Sequence, residues 1–179
     1  MPVRTHWEEA LETKLQDDPN DYQAADDLWL SRLLDAFSVY GISINTDELI
    51  HNNIFVIDII NESTQQIRVV FAHPNYRGHE RSSSEANLWN SIITKMRSYL
   101  CQVRNQRMAY REVTESQIVD DETYYTIIAV GRHIRFFALE ADSNDLMDCS
   151  GMNESMFDAF MEKDQIRAMF WDLSRNNSG

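Results

Sequence analysis

The chain is 179 residues long with 43% hydrophobic and 11% aromatic residues, enough apolar surface for a real core and too much for a disordered protein. Five Gly and three Pro exclude collagen-like and Pro-rich linker architectures. Sixteen Lys plus Arg against 29 Asp plus Glu give a formal charge of −13, which, spread evenly, repels nucleic acid and anionic lipid.

Nothing in the first fifteen residues has the apolar core of a signal peptide, and the apolar runs fall short of the about 20 residues a membrane helix needs. Cys101 and Cys149 form neither a disulfide framework nor a metal-ligand spacing. These features predict an intracellular protein of cytoplasm or nucleus, not secreted, with no membrane partner and two reduced thiols.

Thr5-x-x-Glu8 reads as a capping box opening a first helix, with Trp7, Leu11 and Leu15 on one stripe and a stop near Pro19. A second helix is predicted over 21–40, with Leu30, Leu33, Leu34, Phe37 and Tyr40 on its apolar side and Gly41 as its left-handed stop. The period then changes. Residues 54–60 are β-branched and almost wholly apolar, and 67–73 repeat the pattern, so the two read as a hairpin. Ser82-x-x-Glu85 opens a long helix to about Tyr110, with Trp89, Ile92, Met96, Leu100 and Val103 as its buried stripe. Residues 124–130 and 134–139 form a second hairpin around Gly131. A last helical stretch over 152–174 carries Phe157, Phe160, Met161, Met169, Phe170 and Leu173. The expectation is an α+β, or mixed α/β, single domain over 1–179: a helical arm at 1–44, a core at 50–140 built on about four strands, and a C-terminal helical segment at 152–175.

Charge is unevenly distributed. Residues 1–50 hold three basic and eleven acidic side chains, net −8; 66–111 hold eight and two, net +6; 112–179 hold five and fourteen, net −9. Arg97, Arg104 and Arg111 are seven apart on the long helix, with Arg107 one turn from two of them, and this basic stripe is a candidate docking site for phosphate or an acidic partner. The competing reading has it neutralised within the chain, because the acidic flanks are present at high effective concentration.

The segment from 54 to 139, a hydrophobic hairpin, a long helix and a strand–Gly turn–strand with an aromatic pair, resembles restriction-endonuclease-like domains of the PD-(D/E)XK superfamily, in the versions found in fungal proteins. There the second hairpin strand reads roughly Val-Val-Glu-x-Lys, and a later stretch reads like Tyr-Gly-Ile-x-x-x-Gly-x-x-x-Arg-Phe-Tyr-x-Leu. Here the later stretch runs from Tyr125-Thr126-Ile127 through Gly131 to Arg135-Phe136-Phe137-Ala138-Leu139. The resemblance implies metal-assisted phosphodiester hydrolysis, with an Asp on one strand and an acid on the next holding Mg²⁺ beside a Lys. Asp58 falls at the first acidic position, but Phe71 and His73 stand where the second acid and the Lys belong. Phenylalanine ligates no cation, and one carboxylate does not hold a catalytic Mg²⁺.

The expectation is therefore a degenerate, non-catalytic scaffold without a cofactor, binding a protein partner or a second copy of itself. The alternative is a nuclease using Mg²⁺ or Mn²⁺ at Asp58, His73 and Glu85, or a nucleic-acid-binding protein using Arg97, Arg104, Arg107 and Arg111. Asp58 itself has a bland reading, pairing with Arg68 across the hairpin.

Overall fold

The computed structural model describes residues 6–37, 41–45, 54–60, 66–72, 85–114, 123–149 and 156–176. Helices α1 (His6–Asp17) and α2 (Tyr22–Ala36) precede strands β1 (Gly41–Asn45), β2 (Ile54–Ile60) and β3 (Gln66–Ala72). The long helix α3 (Glu85–Thr114) follows, then β4 (Tyr124–Val130), β5 (His133–Leu139), the two-residue strands β6 (Met147–Asp148) and β7 (Phe157–Asp158), and α4 (Lys163–Asn176). The class is α+β, as its pattern of elements predicts, with a larger sheet than the four strands expected. Strand order is β1-β2-β3-β4-β5-β6, and β7 also pairs with β5.

Strands β1, β2 and β3 form an antiparallel meander, whereas β3 and β4 run parallel, so α3 is the crossover between them. The β-branched and aromatic content of β2 to β5 suits strands covered on both faces, which is where they lie. On one face Ile57, Ile59, Ile67, Val69, Phe71, Ile127 and Phe136 pack beneath α1, α2 and α4. On the other, Val56, Val70, Ile128, Val130 and Phe137 meet Trp89, Ile92 and Met96 of α3. The sheet is thus the middle of three layers.

Several helix expectations need correction. Trp7 is 60% exposed and Leu34 47%, while Glu8, Glu12 and Arg32 are buried in their stead. The buried face of α2 is Ala24, Ala25, Leu28, Trp29 and Leu33. Helix α2 stops at Ala36, where Phe37 caps it by donating its backbone N–H to Leu33, and Gly41 starts β1 instead of ending the helix. Asp21 caps the other end, its carboxylate accepting from the Ala24 N–H at 3.0 Å. The two N-terminal helices, expected as an arm, supply a large part of one core. At the C-terminus, Phe157 belongs to a short strand and Met161 is exposed, so α4 begins only at Lys163 and buries Ile166, Phe170 and Leu173. Both predicted capping boxes rest on Thr5 and Ser82, which lie outside the described residues; the Glu8 carboxylate accepts from Ser31 Oγ at 3.0 Å.

The β4–β5 hairpin turns on Gly131 and Arg132, with Val130 paired to His133. Gly131 has φ +55°, and a Cβ there would sit 3.1 Å from the Tyr22 ring. Its carbonyl accepts from Trp29 Nε1 at 2.7 Å, tying α2 to the turn.

Candidate functional site

Antiparallel pairing sets Asp58 of β2 opposite Arg68 of β3, and the parallel register sets Arg68 opposite Thr126 of β4. These three form a polar row across the central strands on the α3 face, and each is at most 3% exposed. Arg68 donates through Nε and Nη2 to the two carboxylate oxygens of Asp58, both at 2.7 Å, a bidentate pair. Its guanidinium carbon lies 3.6 Å from the ring centroid of Tyr99, one layer above on α3. Thr126 Oγ1 donates to the Arg68 carbonyl at 2.9 Å. Arg68 Nη1 is buried and makes no hydrogen bond to a described residue.

A buried carboxylate needs a counter-charge, and the strand opposite supplies it. Any metal ion at Asp58 would have to displace a guanidinium that occupies both carboxylate oxygens. The register also corrects the expected alignment of Phe71 with Asp58. Side chains alternate along a strand, so the neighbours of Arg68 on its own face are Val70 and Ala72, while Phe71 enters the opposite core beneath α1, α2 and α4. Phe71 therefore does not face Asp58 at all. His73 lies outside the described residues, as does the side chain of Glu85. Among the described residues no three His, Cys, Asp or Glu side chains gather into a metal-sized group.

The arginines of α3 hold a loop. Arg97 Nη1 pairs with Asp145 at 2.8 Å, with both side chains at least half exposed. Arg104 is buried, and its Nη1 donates to the carbonyls of Glu140 and Ala141, each at 3.1 Å, and of Ser143. Its Nη2 reaches Asn144 Oδ1 at 2.6 Å. Arg107 lies over Tyr124, 5.5 Å from the centroid. The side chain of Arg111 is not among those described. Among the described residues Arg104 pairs with no acid; it gathers the carbonyls of the loop that leaves β5, a role for which sequence spacing carries no signal. Beside it, an open groove of about 790 Å³ runs along α3, lined by Arg97 and by uncharged groups such as Thr94, Ser98, Gln102 and Asn105.

A second polar centre, missed by the sequence reading, lies beneath α1, α2 and α4. Glu12 accepts from Arg32 Nη2 at 3.0 Å and from Lys163 Nζ at 2.6 Å, and Arg32 Nη1 donates to the Ala159 carbonyl at 3.1 Å. Burial pulls the Arg32 guanidinium down from its ordinary range, and the charges of Glu12 and Glu8 oppose that fall. The only hint in the sequence is that Glu8 and Glu12 share one side of α1 at a spacing of four.

Near the sheet edge, Arg135 pairs with Asp148 at 2.5 Å, and burial raises the Cys149 thiol above its usual range, with Asp148 and Glu140 adding to the effect. Both cysteines are free thiols. Among the described residues no helix is long and apolar enough to cross a membrane. Compared with family models, curated proteins and solved structures, the chain matches none.

Proposed function

We propose that this chain is a non-catalytic interaction or regulatory module on a degenerate nuclease-like fold, working inside the cell with a protein partner or a second copy of itself. The likeness to restriction-endonuclease-like domains is supported by the order of elements: an antiparallel meander, a long crossover helix, a parallel return strand and a hairpin in one sheet. The observation that carries the loss of catalysis is the Asp58–Arg68 pair. The single acid at the first metal-ligand position is consumed by a bidentate guanidinium, and the strand that should bring the second acid offers Val70 and Ala72 on that face. What remains is a rigid sheet between two helical layers, with exposed aromatic and methionine side chains, Trp7 and Met161 among them, on its surface.

The test is thermal unfolding in EDTA, Mg²⁺, Mn²⁺ and Zn²⁺, because an ion stabilises only a state that binds it. The expected result is one melting temperature throughout. Mn²⁺-dependent cleavage of single- or double-stranded DNA or RNA that disappears in Asp58→Asn would overturn the proposal. Light scattering distinguishes self-association from a requirement for a different chain.

A further inference from the structure

The two margins of the sheet are unlike. At one, β5 carries β6 and β7, each two residues long and each holding an aspartate, Asp148 and Asp158. Short, charged edge strands of this kind resist pairing with another chain. At the other margin β1 is five residues long, Gly41-Ile42-Ser43-Ile44-Asn45, and among the described residues it pairs on one side only, with β2. It contains no Pro and no charge of either sign, and its register with β2 runs without a bulge. Residues 37–46 hold no charged side chain, in a chain of which 25% is charged. This margin therefore lacks the sequence devices that protect the opposite one.

We propose that the outer edge of β1 pairs antiparallel with the same edge of a second copy, joining two sheets into one across a two-fold axis. The inference rests on the reading of the chain as an interaction module, and it names the partner and the strand that meets it. An edge that faces its own copy must suit itself. A register centred on Ser43 does so: it sets Ser43 against Ser43, Ile42 against Ile44 and Gly41 against Asn45, and no like charges are opposed. The faces agree as well. Pairing with β2 places positions 42 and 44 on the face of Ile59 and Ile57, and position 43 on the face of Asp58, so each new pair lies on one side of the joined sheet. Because β6 and β7 blunt the far margin, the pairing closes at two copies and builds no fibre. The net charge of −13 on each copy opposes the contact, so salt strengthens it by screening.

The test is sedimentation of the full chain over a dilution series. The expected result is a doubling of mass with concentration, reversed by dilution and shifted to lower concentration by NaCl. In hydrogen–deuterium exchange the β1 amides open locally in the single chain and slow as the dimer fills. Ser43→Cys, a change of one atom, oxidises to a covalent dimer, because directly opposed residues of paired strands fall within disulfide reach. Ser98→Cys, exposed on α3, gives no more covalent dimer than the wild-type chain with its own thiols at Cys101 and Cys149. The proposal is overturned by a single-chain mass at every concentration, by growth into large aggregates, or by a dimer that salt loosens. It is equally overturned if β1 exchange ignores concentration, or if position 98 cross-links and position 43 does not. A chain that stays single still leaves the module reading with a different protein as its partner, whereas Mn²⁺-dependent cleavage removes that reading and leaves the pairing of edges standing.

Discussion

Arg68 is a buried arginine whose replacement leaves a buried carboxylate without its counter-charge. It is 3% exposed, bidentate to a carboxylate that is 1% exposed, and stacked on Tyr99. Removing one partner of such a pair strands a charge in the core, which costs far more than the pair itself contributes. Arg68→Met is expected to lose about 3–5 kcal/mol of stability by chemical denaturation. Asp58→Leu with Arg68→Met, an apolar replacement of both, should return to within about 1 kcal/mol of wild type. A double variant as unstable as the single one would mean that the pair's hydrogen bonds, and not its charge balance, hold this part of the sheet.

At the level of elements, two junctions carry the clearest consequences. Asp21 caps α2 and also meets Lys14 at 2.7 Å. The Lys14 ammonium, and after it the Ala24 N–H, hold the Asp21 carboxyl below its usual range. A depressed carboxyl stabilises the fold above its unfolded-state range and loses that contribution as pH falls through the folded value. Asp21→Ala should therefore cost about 1 kcal/mol at neutral pH, and the gap to wild type should narrow as unfolding is measured at progressively more acid pH. The second junction is the β4–β5 turn. Gly131→Ala combines a left-handed backbone with a close approach to the Tyr22 ring, so a loss of about 1–2 kcal/mol is expected in the same measurement.

These elements differ in how far the sequence betrays them. Strands β2 to β5 are legible because both their faces are apolar, and the stripe of α3 is legible because Trp89, Ile92, Met96 and Leu100 recur at helical spacing. Helices α1 and α2 mislead, because Glu12 pairs with Arg32 and Lys163 and Glu8 accepts from Ser31 while Trp7 and Leu34 face solvent, an inversion that only the partners across three helices explain. Strand β1 is five residues and owes its form to pairing with β2; β6 and β7, of two residues each, exist through their registry on β5. In the candidate site, the cross-strand partner of Asp58 follows from hairpin register, and that register already sends Phe71 to the other face. Tyr99 above Arg68 and the carbonyls gathered by Arg104 depend on how α3 lies across the sheet, which local sequence does not encode.

For the whole molecule, the sheet sandwiched between α3 and the α1–α2–α4 layer sets a gradient of stability. Strands β3 and β4 are central and buried on both faces, so their amides should exchange with solvent only through global unfolding. Those of β1 and of the short β6 and β7, at the margins, should exchange through local opening. Hydrogen–deuterium exchange read by mass spectrometry checks this order; comparable protection of β1 and β4 would show that the meander and the hairpin open as one unit.

The parallel pairing of β3 with β4 also has a consequence for biosynthesis. During translation the meander emerges with the outer edge of β3 bare, and its partner arrives only after the whole of α3 has been made. Until then the stretch Ile67-Arg68-Val69-Val70-Phe71 offers both unpaired backbone and oily side chains to any neighbouring nascent chain. Ribosomes stalled between α3 and β4 should thus display a sticky intermediate that recruits a chaperone, and release of the remaining strands should dismiss it.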